Sequence, residues 1–169
     1  MLQHASPLIR FRLWPIALLV VVLAGSPIAW YLASPLFVNR TVNEAATGAG
    51  LQVLSRGEFG AIDSIHKGEG TASLYRAADG RYLLGLDSFR VTNGPDLYVY
   101  VSTQPAPTDA GQLHQGEPVE VARLKGNVGT QNYELPAGVD PARIRSVVIY
   151  CKQFSVVFST ATLTESPTS

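Results

Sequence analysis

The chain has 169 residues, 46% of them hydrophobic, with 13 basic and 13 acidic side chains, which leaves room for one ordinary domain. Charged residues make up only 15%, against roughly 25% in an average soluble domain. That apolar content excludes a disordered chain, and a net charge of zero excludes the phosphate-attracting field of a nucleic-acid binder. The single cysteine excludes a disulfide scaffold and any zinc site built on several thiolates.

The missing charge is concentrated at the front. Residues 13–38 read LWPIALLVVVLAGSPIAWYLASPLFV, and between Arg12 and Arg40 only Tyr31 can ionise. Such a run is long enough to cross ~30 Å of hydrocarbon at ~1.5 Å per residue. Trp14 stands near one end and Trp30 and Tyr31 near the other, about 24 Å apart on a helix, as in an aromatic belt. Arg10 and Arg12 precede the run, so residues 1–12 are expected in the cytoplasm and the remainder outside it. The competing reading is a cleaved signal peptide ending near Val22-Leu23-Ala24. Apolar sequence continues past that point through Ile28, Trp30 and Leu32, and Pro35 disfavours cleavage after Ser34. A retained single-pass anchor over 13–38 is therefore expected. Pro15 lies near the first turn, whereas Pro27 is expected to kink or end the helix.

Residues 39–169 carry 11 basic and 13 acidic side chains. Residues 39–56 read as a tether, with a short helix conceivable over 42–46. From Gly57 onward the pattern becomes short strands separated by Gly, Pro, Asn and Asp. Strands are predicted at 57–63, 70–77, 81–90, 96–102, 118–125, 130–135, 145–151 and 154–163. Asp79-Gly80 and Asn93-Gly94-Pro95-Asp96 mark turns, and Pro105, Pro107 and Asp109 a longer loop. No helical stripe of useful length follows residue 46, and 164–169 form a polar tail. Eight short strands with regular turn signals predict an all-β fold, a β-sandwich of jelly-roll type.

The last two strands predict their own pairing. Taking Lys152-Gln153 as the tip of a hairpin opposes Cys151 with Phe154, Ile149 with Val156 and Val147 with Phe158, all apolar and all on one face. Lys-Gln is a poor primed turn, so a wider tip fits too. Ala161 and Leu163 have the wrong parity for that face, which asks for a bulge near Ser159-Thr160. Val157 falls on the opposite face and is expected to matter less. Cys151 is placed beside an apolar wall, close to a loop end.

The segments GEFGAIDSIHKGEGTASLY, LDSFRVTNGPDLYVYVS, ARLKGNVGTQNYELP and RSVVIYCKQFSVVFSTATL resemble a DM13 domain, and the resemblance covers about residues 57–163. It implies a DOMON-like β-sandwich proposed to take part in electron transfer. It also implies that the motif cysteine, here Cys151, is the redox element, as a bare thiol or as a ligand of a haem-like group. One departure is Phe158-Ser159, where the family often shows Phe-Gly; this reads as a changed bulge.

A lone buried cysteine is ordinarily a small hydrophobe, and thiol redox chemistry needs a thiolate with access and a positive neighbour. Lys152 adjoins Cys151, although adjacent strand residues face opposite ways. A single thiol has no internal partner and can cycle only with another molecule or through a sulfenic state. His66 is the second candidate cofactor ligand, since a Cys/His pair suits haem iron; its bland alternative is a loop histidine bonded to nearby backbone. His114 sits in the Pro-rich loop and His4 on the other side of the membrane. No C-x-x-C-H run exists for covalent haem attachment. Asp63, Asp87 and Asp96 show no calcium-ligand spacing, and no metal site is expected. No G-x-S-x-G occurs. The glycines of Gly126-Asn127-Val128-Gly129 read as turn-formers, not a phosphate cradle. Tyr98, Tyr100 and Tyr133 read as packing residues. Two function classes survive: an anchored electron-transfer module working through Cys151 with a redox or protein partner, and a non-catalytic exported β-sandwich that binds a protein, a glycan or a small ligand.

Overall fold

The front of the chain is one helix, α1 (Leu8–Ala33), which continues past both Pro15 and Pro27. The expected stop at Pro27 does not occur: a proline removes one backbone donor, and the apolar turns on either side keep the rest of the ladder. The computed structural model describes residues 8–34, 38–45 and 50–166. The expectations placed on His4, Pro35, 47–49 and 167–169 lie outside them. Side chains of α1 are described for 14–27, 29 and 30, and all of these are exposed. Among the described residues no helix is long and apolar enough to cross a membrane. The chain divides into two units, 1–37 and 38–169.

The second unit is built on one curled ten-stranded sheet, a half-barrel. Its strands are β1 (Thr41–Asn43), β2 (Gln52–Ala61), β3 (Gly68–Arg76), β4 (Tyr82–Val91), β5 (Leu97–Ser102), β6 (Val119–Arg123), β7 (Val128–Glu134), β8 (Ser146–Cys151), β9 (Val156–Thr162) and β10 (Thr164–Glu165). Their spatial order is β1-β7-β4-β3-β2-β9-β8-β5-β6, with β10 added beside β2. All eight predicted strands are present. The two additions, β1 and β10, are too short to show alternation, and they fall in the expected tether and tail. The expected tether also supplies the start of β2, and Val42 belongs to a strand rather than to a helix.

The sandwich expectation is corrected in one respect. Two separate sheets do not face each other; a single sheet bends over, and β2 is the bend. Its first part pairs with β3, while Phe59, Gly60 and Ala61 pair with β9. Gly57 lies at that crossing: a Cβ there would strike the backbone carbonyl of Thr162. Turn spacing counts strands, but it cannot tell a folded-over sheet from two stacked ones. The inner face encloses one core, with Phe59, Leu74, Leu84, Leu86, Phe89, Val99, Val147, Ile149, Cys151 and Phe158 among its buried members.

The outer face of β8 and β9 is also covered. A six-residue helix, α2 (Ala110–Gln115), is capped by Asp109, whose carboxylate accepts from the Gln112 amide. Leu113 of α2 packs with Val148, Tyr150 and Val157. This helix stands in the expected loop, and at six residues it is too short to carry a readable stripe. Val157 is therefore as buried as the core residues, contrary to its expected lesser weight.

In the β8–β9 hairpin the tip is 152–155, with Ser155 at φ +55°. Cys151 pairs with Val156 and Tyr150 with Val157, then a bulge skips Phe158 so that Ile149 opposes Ser159. The wider tip places Phe154 outside the core, 61% exposed, correcting its expected place in the wall. Val147, Ile149 and Phe158 hold the inner face, with Val156 partly buried against them.

Candidate functional site

Three connections meet at the end of the half-barrel that carries the hairpin tip: the β2–β3 loop (62–67), the β4–β5 loop (92–96) and the tip itself (152–155). The β2–β3 loop is a compact turn organised by Asp63. One carboxylate oxygen accepts from the amides of Ile65 at 2.7 Å and His66 at 2.6 Å, and the other meets His66 Nδ1 at 2.7 Å. The His66 side chain first, then the His66 and Ile65 amides, hold the Asp63 carboxyl down at about 2, so it is ionised throughout the ordinary pH range.

This turn is fastened to the β4–β5 loop through one hydroxyl. Thr92 Oγ1 donates to the carbonyl of Ile65 at 2.9 Å and accepts from the Lys67 amide at 3.1 Å. The Thr92 amide donates to the Lys67 carbonyl at 2.9 Å. The β4–β5 loop in turn holds the tip, since the Lys152 amide donates to the Asp96 carbonyl at 3.1 Å.

Beneath the loops lies Phe158. The His66 ring meets it edge-on, centroids 4.5 Å apart at 65°. Gly94 presses on the same ring: a Cβ there would stand 2.9 Å from Phe158 and 2.8 Å from Leu97. A larger residue would have to push the Phe158 ring and the Leu97 methyl aside, which gives the Asn-Gly-Pro-Asp turn a packing reason beyond its backbone angles. Leu97 is the cross-strand partner of Cys151.

Cys151 is a free thiol with 0% exposure, a member of the inner core. It is at the inner edge of the hairpin, as expected, but sealed rather than at a mouth. The His66 imidazole is occupied by Asp63 through Nδ1 and by the Phe158 ring. The bond that holds it is to a carboxylate, not to backbone. No contact joins His66 to Cys151 among the described residues. A haem-like group does not fit at Cys151: zero exposure means that no water-sized space touches the residue, so a planar macrocycle could reach Sγ only by opening the core. Among the described residues no three His, Cys, Asp or Glu side chains stand close enough to hold a metal ion; Asp63, Asp87 and Asp96 are not gathered. His114 belongs to α2, 6.3 Å from the Tyr150 ring on the outer face.

The glycines of the Gly126–Gly129 turn have a use that sequence reading missed. A Cβ on Gly126 would strike the carbonyl of Arg40, and one on Gly129 that of Val42. They make room for β1, which pairs in parallel with β7. Tyr133 is a packing residue, as expected, 4% exposed. Tyr98 and Tyr100 are half-buried on the outer face, where the alternation of LYVYVS puts them together.

A curled β-domain with one sealed thiol behind a three-loop end is thus the class of protein that fold and site define. The family model described as electron transfer DM13 matches residues 59–163, and the chain belongs to that family. No curated protein and no solved structure matches it.

Proposed function

We propose that the protein is a membrane-anchored electron-transfer domain, held outside the cytoplasm, whose redox element is the bare thiol of Cys151. Membership of an electron-transfer family carries the redox reading. What favours Cys151 within it is that it is the only thiol of the sequence and stands in the hairpin whose motif carries the family resemblance. Sealing keeps peroxide and bulky disulfides from Sγ, and in one-electron exchange the S–H bond breaks and its proton leaves together with the electron. No step through haem is part of this reading, and His66 acts as the loop's organiser.

Cys151→Ser tests it. The substitution keeps the volume close to the original, with a cost of ~1–3 kcal/mol if the buried hydroxyl finds no partner. The variant is expected to fold and to lose electron exchange with the host's membrane fraction, followed by redox titration of the purified full-length protein. An unimpaired Ser variant would sink the thiol reading and leave a binding module. A visible absorption band in protein purified from its native host, lost in Cys151→Ser, would reinstate a haem-like ligand role.

The anchor rests on α1. Trp14, Val22, Leu23 and Val20 point in different directions around the helix, and each is at least half exposed. A helix apolar on all sides needs an apolar surrounding. With Arg10 and Arg12 ahead of it, the expected orientation is N-terminus inside. Protease added to intact spheroplasts should remove 38–169 and spare α1. A protected domain would overturn the topology, and a soluble form lacking about the first 24 residues would establish a cleaved signal.

A further inference from the structure

The outer face of β5, β6 and β8 carries one connected group of aromatic and charged side chains that the thiol reading leaves unused. Tyr150 lies opposite Tyr98 across the β5–β8 register, and Glu120 lies opposite Tyr100 across β5–β6. Tyr100 Oη donates to Glu120 Oε2 at 2.8 Å, and the same oxygen accepts from Lys152 Nζ at 2.9 Å. That ammonium stands 4.4 Å over the Tyr98 ring. Tyr100 and Tyr150 meet edge-on with centroids 5.6 Å apart, and Tyr150 lies 6.3 Å from the ring of His114. Tyr150 is joined to Cys151 by a single peptide link, its ring on the outer face and the thiol on the inner.

A phenol gives up one electron readily only if its proton leaves in the same event, because the radical cation left behind is strongly acidic. The proton needs an acceptor already within hydrogen-bond reach. Glu120 is such an acceptor. The bond from Lys152, then that from Tyr100, hold its carboxyl below the ordinary range, so it is ionised and able to accept. Burial first, then the Glu120 bond, raise the Tyr100 hydroxyl, so the proton stays on oxygen until the electron goes. Tyr133 provides the internal contrast: its hydroxyl donates to the amide oxygen of Gln131 at 2.8 Å, which is not a base.

We infer that Tyr100 is a redox-active tyrosine through which a one-electron partner docked on the outer face exchanges electrons with the domain, Glu120 holding its proton. In the oxidising direction, Tyr100 loses one electron to the partner's redox centre. Its O–H bond breaks, the proton passes to Glu120 Oε2, and a neutral tyrosyl radical and a neutral Glu120 result. Return of one electron from a donor draws the same proton back. Tyr150 lies between this surface and Cys151, so the inference rests on the electron-transfer reading and supplies its route to a sealed thiol.

The probe is photogenerated tris(bipyridine)ruthenium(III), with persulfate as the sacrificial acceptor, acting on the full-length protein; the readout is the tyrosyl radical by freeze-quench EPR. Tyr100→Phe should remove most of the early signal, and Tyr133→Phe should leave it. Glu120→Gln should slow radical formation by roughly tenfold or more, the low side of what a positioned proton acceptor supplies. Wild-type oxidation should be flat with pH while Glu120 is ionised and fall off as pH drops through its lowered value; Lys152, Asp96, Arg123, His114, Tyr98 and Tyr150 are the other titratable groups near it. An unchanged early signal in Tyr100→Phe, or a wild-type rate in Glu120→Gln, overturns the inference. Repeating the measurement in Cys151→Ser separates the two readings. No Tyr100 radical in either protein defeats the tyrosine and leaves the thiol standing; a Tyr100 radical in both, with electron exchange unimpaired in Cys151→Ser, supports the tyrosine and defeats the thiol.

Discussion

Phe158→Ala is expected to destabilise the domain by about 3–5 kcal/mol, the range for emptying a buried aromatic site, read from the midpoint of urea unfolding. The ring is 6% exposed. It supports His66 on one side and Gly94 on another, so neighbours held by their own loop bonds cannot collapse into the space. The same measurement on Phe154→Ala should stay within about 0.5 kcal/mol, as for an exposed side chain without partners. Val157→Ala should cost about 2 kcal/mol, because the residue is fully buried under α2 and loses two methyl groups. A loss below 1 kcal/mol for Phe158→Ala would contradict the bulged pairing that turns its ring inward.

Gly129→Ala is expected to expel β1. Two penalties act together. The residue sits at φ +105°, where a side chain costs about 1–2 kcal/mol, and the new methyl would occupy the place of the Val42 carbonyl oxygen. Backbone cannot yield as a flexible side chain can, so the parallel β1–β7 ladder must open. Hydrogen exchange should then show loss of protection at 41–45, and proteases should cut ahead of Gln52 while the rest of the domain remains intact. Gly80→Ala isolates the first penalty: it has φ +87° and open space around the added methyl. Equal behaviour of the two variants would mean that β1 is not seated against Gly129.

Much of this fold was legible in the sequence, for a physical reason. β8 is apolar on both faces, so no alternation marks it; its pairing with β9 in a hairpin put Val147, Ile149 and Cys151 on one face, and that face is the inner core. The parity conflict between Phe158 and Ala161 required a bulge, and one is there, a residue earlier than expected. What stayed hidden were features that depend on partners distant in sequence. Val157 looked like an outward residue because α2, which covers it, carries a single buried leucine. Phe154 looked like wall because the tip's width is set by Ser155 at φ +55°, which serine does not advertise. Gly126 and Gly129 looked like turn-formers because their real neighbour, β1, lies more than eighty residues away in sequence. The site followed the same rule. Cys151 stood out by its motif, whereas Tyr100 and Glu120 meet only across the β5–β6 register and Lys152 joins Glu120 from the hairpin tip.

The seating of β1 has a mechanical consequence. It is the last strand of the sheet, paired on one side only, and it adds no residue to the buried core. Its hold is polar: the short ladder to β7, the Arg40 amide on Asn127 at 2.7 Å, Asn39 accepting from Asn127 at 2.8 Å and from Asn93 at 3.1 Å, Glu44 on Lys125 at 2.7 Å and on the Asn132 amide at 2.8 Å, and the Ala45 carbonyl on the Asn132 side chain at 2.8 Å. β2, by contrast, is gripped by β3, β9 and β10. A pull on the chain ahead of Val38 therefore meets β1 first and frees it as a breakaway clip. Residues 39–51 then pay out as a leash of about 45 Å at ~3.3–3.6 Å per residue, with the core, the thiol and the tyrosine face all still folded. Loss of β1 is thus expected to lengthen the chain ahead of Gln52 without unfolding the domain.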